Sequence, residues 1–254
     1  MIDTHSHIYS EEFDADRDAV VQRAKEAGVR KIILPNVDSE SLPRMLALEA
    51  RYPDYCFAAI GLHPTSVKEN YREELAVVRS ELERRKYIAV GEIGIDLYWD
   101  KTFLNEQVKV FQTQIEWALE YHLPIIIHQR DSFRETMGAL KPFKNSGLQG
   151  VFHSFGGSVE EAREILDFGG FVMGINGVVT FKNARLSDTM RHFSLENFIL
   201  ETDAPYLTPV PYRGKRNESA YLAYIGEKVA DIYGISPEEL STITDKTVEK
   251  LFFN

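Results

Sequence analysis

One cysteine is all that the 254 residues contain, so no intrachain disulfide can form. Cys56 opens an apolar run, CFAAIGLH, and is expected to be a small buried side chain in a protein of a reducing compartment. No apolar run reaches the roughly 18 residues that a membrane-spanning helix needs, so no such span is expected. No basic and apolar leader precedes His5, which already falls where the first strand should end; a cytoplasmic protein is therefore expected. Positive charge is in short supply too. With 29 Lys and Arg against 39 Asp and Glu the net charge is −10, which argues against stable binding along a nucleic-acid duplex or on an anionic membrane. Repeats, low-complexity tracts and linker-like compositions are missing, so residues 1–254 are read as one domain, and a hydrophobic content of 44% is ample for its core.

What the chain does have is alternation. Short apolar runs rich in β-branched residues recur eight times: MIDTH, KIILPN, CFAAIGLH, YIAVGEIG, PIIIHQR, GVFHSF, FVMGINGV and FILETD. Amphipathic segments separate them, such as the one ending at Gly28, a glycine suited to a helix C-cap, and 103–122, which Pro124 stops. Continuous apolar strands separated by helices imply a parallel sheet covered on both faces. Eight such units in this length predict an α/β fold, a closed (β/α)8 TIM barrel, with an open doubly wound sheet as the alternative. A last helix, about 236–252, is expected to pack outside.

In such a barrel the reactive groups sit at the C-terminal ends of the strands. His5 and His7 end the first run, His63 the third, and Glu92 lies late in the fourth. His128 and His153 end the fifth and sixth, and Asp203 the eighth. Residues i and i+2 of a strand share a face, so His5 and His7 would project side by side, as a transition metal requires. A polar side chain at the end of a buried strand is costly unless satisfied, and seven at one rim are hard to explain as filler. His122, at a helix end, and His192, in a polar helix, are read as bystanders. A single tetrahedral site needs fewer ligands than converge here, so two divalent metal ions are expected. His5, His7, Glu92 and Asp203 are assigned to one ion and Glu92, His128 and His153 to the other, with Glu92 as the bridge. The donor set admits zinc, manganese, nickel or magnesium. The balance of charge stays positive and favours an anion, with a phosphodiester the foremost candidate.

The motifs DTHSH (3–7), GLHP (61–64), GEIGID (91–96), IIHQR (126–130), FHSFGG (152–157) and ETDAPYL (201–207), followed by YRGKRNE (212–218), resemble those of the TatD-type metal-dependent hydrolases of the amidohydrolase superfamily. The resemblance runs over essentially the whole chain. It implies a divalent-metal-dependent deoxyribonuclease that attacks single strands from the 3′ end, and it agrees with the ligand assignment above. Related amidohydrolases carry a modified lysine on strand four, where this chain has Glu92. After strand six the family reads H-C-F-S-G, whereas here it is His153-Ser154-Phe155-Gly156-Gly157, a smaller loop that bears on the shape of the pocket.

A water held by such ions loses several pKa units and becomes a nucleophile near neutral pH. Asp203 is expected to accept its proton, and Glu92 and His63 complete the catalytic set. His63 has no clear place around either ion and is expected to donate a hydrogen bond to the substrate phosphate. Arg130, two residues past a ligand, and the cluster Arg213, Lys215 and Arg216 in the loop after strand eight are expected to pair with phosphates. Asn217 is read as a helix N-cap, and Asp96, Tyr98 and Trp99 as a pocket lining in which Trp99 could stack a base. So few cations hold few phosphates, which favours single strands or strand ends as substrate. Two other functions fit the same residues: ester hydrolysis, such as deacylation of a D-aminoacyl-tRNA, and a metal-binding scaffold without turnover.

Overall fold

The structure, a computed structural model, describes residues 1–253. Eight parallel strands alternate with helices. They are β1 (Ile2–Asp3), β2 (Lys31–Pro35), β3 (Cys56–Ala59), β4 (Val90–Asp96), β5 (Ile125–Arg130), β6 (Gly150–Phe152), β7 (Phe171–Ile175) and β8 (Phe198–Leu200). The helices are α1 (Arg17–Glu26), α2 (Leu42–Arg51), α3 (Tyr71–Arg84), α4 (Leu104–Glu120), α5 (Phe133–Leu140), α6 (Val159–Phe168), α7 (Leu186–Met190), α8 (Leu222–Tyr233) and α9 (Pro237–Phe252). None of them is long and apolar enough to cross a membrane.

The strands pair in sequence order, β1 to β3 and β4 to β8. Backbone bonds carry the pairing across both seams. At the first, Ile60 N donates to Ala89 O (3.1 Å) and Gly91 N to Ile60 O (2.9 Å). At the second, Thr4 N donates to Leu200 O (3.1 Å), His7 N to Ala204 O (2.7 Å) and Asp203 N to His5 O (2.8 Å). The architecture is the expected TIM barrel rather than an open sheet, because an open sheet would leave these two edges unpaired.

Strand residues alternate between two apolar clusters, as a period of two dictates. Ile32, Leu34, Ile125, Ile127, Phe152 and Leu200 face the helices in the larger cluster. Ile2, Ile33, Ala59, Ala89, Ile126, Val151 and Ile199 form the smaller, inner one, against which Val172 packs. Burying each large aliphatic side chain is worth about 1.5–3 kcal/mol. Cys56 is buried as expected.

Helix ends follow local chemistry. Ser158 and Glu161 cap α6 reciprocally, at 3.2 and 2.8 Å. Ser236 caps α9, and Pro237 fills its first position. The placement of α9 differs from expectation. Its Val248 and Phe252 join the inner cluster, while Asp245 Oδ1 accepts from Ile2 N (2.9 Å) and Lys31 Nζ reaches Glu249 (2.9 Å). The helix therefore covers the end of the barrel where β1 and β2 begin, because an apolar interior left open there would meet water.

Candidate metal centre

The inner face that is apolar low in the barrel turns polar two residues further up. Ile126 is followed at i+2 by His128, Val151 by His153 and Ile199 by Glu201. Where β4 and β5 run side by side, Gly94 leaves room that any side chain would take: a Cβ there would stand 2.0 Å from the carbonyl oxygen of His128.

Glu92 occupies the middle. It is 2% exposed, and its two oxygens look in different directions. Oε2 lies 3.1 Å from His5 Nε2 and 3.5 Å from His7 Nε2. Oε1 lies 2.7 Å from His128 Nδ1, 3.3 Å from His63 Nε2 and 3.8 Å from His153 Nε2. Asp203 Oδ1 stands 3.8 Å from the Nε2 atoms of His5, His7 and His153. Three sets each bring one ligand atom per residue within 4.8 Å of one another: His5, Glu92 and His153; His5, His7 and Asp203; His63, Glu92 and His128. All seven expected side chains thus converge. His153, whose ring stacks on that of His5 at 3.5 Å, sits between the two assigned ion sites, and His63 lies inside the cluster rather than at its margin.

Hydrogen bonds fix which nitrogen of the His7 ring carries the proton. The Tyr9 hydroxyl donates to Pro35 O (2.6 Å), so it must accept from His7 Nδ1 (2.9 Å), and His7 Nε2 is left with a free lone pair. His7 Nε2 therefore turns a lone pair toward the centre. The backbone N–H and the hydroxyl of Thr65 both approach His63 Nδ1, at 3.1 and 2.6 Å, and its Nε2 faces Glu92 Oε1.

The electrostatics are those of a buried cluster of opposite charges. Burial works against an ionised Glu92, yet the surrounding imidazoles hold it well below the usual carboxylate range. Burial depresses His5 strongly, and the neighbouring charge of His153 adds to this. For His153 burial is outweighed by Glu201, Glu92 and Asp203, which push it up to about 10. Burial raises Asp203 to about 6. Such a group is costly to keep out of water, and His5 Nδ1 and Glu201 Oε2 are buried with no hydrogen-bond partner. Imidazole and carboxylate together are the donor set of a divalent metal, and these residues fit one.

Two carboxylates behind the rings escaped the sequence reading in this role. Asp96 Oδ2 accepts from His128 Nε2 (2.8 Å), which leaves Nδ1 to face Glu92. Glu201 Oε1 lies 3.0 Å from His153 Nδ1, off the line of the N–H, and accepts from Ser154 N at 2.7 Å. Gly174 makes space for it, since a Cβ there would meet Glu201 Oε2 at 2.2 Å. Partners of this kind orient metal-binding histidines. The step of two from Ile199 was the available signal for Glu201. Beneath them Asp3, raised to about 7 by burial, accepts from Thr202 N and Oγ1 (2.9 and 2.7 Å) and ties β1 to the end of β8.

The expected substrate cations are scattered around the rim. Arg130 is exposed, with its guanidinium carbon 3.7 Å from the centre of the Tyr98 ring. Arg213 and Lys215 are exposed, the former over Phe181 at 4.3 Å. Arg216 is turned elsewhere and donates to Glu12 O (2.6 Å) and Asp16 Oδ2 (2.7 Å). Asn217 is not an N-cap. It is fully buried, and its amide donates to Thr202 O and Tyr206 O (2.7 and 2.6 Å), clamping the loop after β8. His192 is solvent-exposed as read, and His122 lies just past the end of α4.

Comparison with known proteins agrees with this geometry. The chain is 37% identical over 253 residues to the uncharacterized metal-dependent hydrolase YabD of Bacillus subtilis (strain 168), covering 99% of this chain and 98% of that protein. It is 32% identical over 258 residues to the 3′-5′ ssDNA/RNA exonuclease TatD of Erwinia billingiae, with 99% and 98% covered. The crystal structure of YjjV, a TatD homologue from Escherichia coli K12, superposes with a TM-score of 0.92 at 31% identity, over 100% of this chain and 98% of that one. The family model for TatD related DNase matches residues 2–253, and the chain belongs to that family.

Proposed function

We propose that the protein is a metal-dependent nuclease that removes nucleotides from the 3′ ends of single-stranded nucleic acid, with two divalent ions at the centre around Glu92. The observation that carries this reading is the division of Glu92, one oxygen toward His5 and His7 and the other toward His128, His63 and His153. A carboxylate so placed suits a bridge, and paired ions suit the in-line displacement of a phosphodiester. His5, His7, Glu92 and Asp203 would hold one ion, and Glu92, His128 and His153 the other. Bound there, the ions lower the pKa of water and neutralise charge on a phosphoryl oxygen.

The chain's own groups do the rest. Asp203, raised toward neutrality by burial, accepts the proton of the attacking water. His63, whose Nε2 faces the centre, donates to a phosphoryl oxygen. Arg130, Arg213 and Lys215 attract phosphates of the strand, while Arg216 holds the loop after β8 against the segment before α1. The chain's net charge of −10 limits binding to the strand end that reaches this rim.

The test is a ladder of 5′-labelled oligonucleotides, single-stranded and duplex, incubated with zinc, manganese, nickel or magnesium after chelation. Stepwise shortening of the single strand from its 3′ end is expected. Release of an acyl group from aminoacyl-tRNA without any shortening would overturn the reading.

A further inference from the structure

Among the described residues, the large apolar side chains that stand exposed are Tyr98 (53%), Trp99 (70%), Tyr206 (57%) and Val210, all in the two rim loops that follow β4 and β8. Elsewhere such side chains are covered. The first pair is also tied to the metal centre by a single carboxylate. Asp96 Oδ2 accepts from His128 Nε2 (2.8 Å), while Oδ1 accepts the backbone N–H groups of Tyr98 (2.9 Å) and Trp99 (3.2 Å). The same side chain that holds a ring of the centre therefore sets the start of the loop carrying both aromatics. Arg130 lies on the Tyr98 ring at 3.7 Å and stands 5.5 Å from that of Trp99, so an exposed cation accompanies the exposed faces.

From this arrangement we infer that Tyr98, Trp99 and Arg130 form a nucleobase subsite beside the scissile phosphate, with Trp99 stacking on a base and Arg130 pairing with the adjoining phosphate. The inference rests on the nuclease reading and names the substrate group that the rim recognises. An aromatic face next to a cation is the chemistry that grips single-stranded nucleic acid, and it tolerates every base because every base has a π-face. A paired base would keep its faces stacked within the duplex, so the subsite also selects single strands. Asp96 is a positioning residue here, coupling the subsite to His128.

The test compares two 5′-labelled oligothymidylates with the metal-loaded enzyme, one intact and one carrying abasic residues at its last three 3′ positions. Wild-type kcat/KM is expected to favour the intact strand by at least about fivefold, as loss of a stacked base implies. In Trp99→Ala that ratio falls toward one, and Trp99→Phe retains most of it. In parallel, thymidine monophosphate should quench tryptophan fluorescence in the wild type but not in Trp99→Phe, where Trp117 on α4 is the remaining tryptophan. Shortening with no preference for the intact strand, or a preference that survives in Trp99→Ala, overturns the subsite and leaves the nuclease reading standing. Quenching without any shortening supports the subsite and overturns the nuclease reading instead.

Discussion

The two ends of the barrel interior use the same strands for opposite purposes. Low in the barrel Ile33, Ile126, Val151 and Ile199 pack with Val248 and Phe252 of α9. Two residues higher on β5, and just past the ends of β6 and β8, the same face carries His128, His153 and Glu201 around Glu92. The lower end gains free energy when water leaves. The upper end loses free energy when water leaves, and recovers it only through pairing or a bound cation. A barrel can hold so costly a group because the apolar layer beneath keeps the strands in register.

The sharpest way to break this division is at Glu92. Glu92→Ala should lower turnover more than about 1000-fold, since both proposed ions lose a ligand and the charge between them. Elemental analysis should find fewer than two ions per chain, and unchanged metal would disprove the bridge. At the other end, Ile126→Ala should cost about 2–5 kcal/mol of stability by opening a cavity in the inner cluster. Its metal content and its turnover below the melting transition should stay near wild type. If Ile126→Ala instead empties the metal centre, the two ends are not separable.

His63 divides the upper end itself. Distance alone would place it with Glu92 and His128 as a ligand, whereas the proposed function makes its ring a donor to the substrate. His63→Ala is expected to keep all bound metal and to lose about 2–4 kcal/mol of transition-state stabilisation, by analogy with removal of an oxyanion donor. Loss of one ion on dialysis of this variant would make His63 a ligand.

Much of the upper end could be read from sequence because its candidate ligands close apolar runs, so that strand ends and chemistry coincide. All eight strands and seven converging side chains were visible that way. What stayed hidden depends on pairing across the fold. Glu201 was passed over because its part depends on His153, 48 residues earlier, standing beside it. Arg216 reads as a free cation until Asp16, 200 residues earlier, is seen beside it. An amphipathic α9 fits the flank or the end of a barrel equally well, and only Val248 and Phe252 among the inner residues decide.

Glu201 allows a finer comparison, because it acts on the centre from behind. Burial would depress the His153 imidazole, but Glu201 and its neighbours hold it up at about 10, so the metal-free ring carries a proton at neutral pH. Under the proposed assignment an incoming ion displaces that proton, and metal affinity therefore rises with pH from about 6 to 9. Glu201→Gln should weaken metal binding about 10- to 100-fold once proton competition is taken out, because the ring loses the partner that orients it. It should also flatten the pH dependence, because a ring without its carboxylate gives up the proton more readily. Calorimetric titration of the chelated protein measures both, and an unaltered pH slope would show that Glu201 does not govern His153.

The smallest effect separates the cations of the rim. Arg216 is bound to Asp16 and Glu12, so its loss removes a partly exposed tie between the loop after β8 and the segment before α1. Such a pair is worth about 0–1 kcal/mol, and Arg216→Ala should lower the melting point slightly while leaving the salt dependence of oligonucleotide binding as it was. Arg213 and Lys215 face solvent and make no comparable pair with a carboxylate among the described residues. Replacing both with Ala should reduce the slope of log K against log salt by about 1.4, the value for two single-strand phosphate contacts. Fluorescence anisotropy of a labelled oligothymidylate at several salt concentrations reads this directly. A slope that drops for Arg216→Ala and not for the double variant would exchange the roles, and place the phosphate path over α1 rather than along the loop after β8.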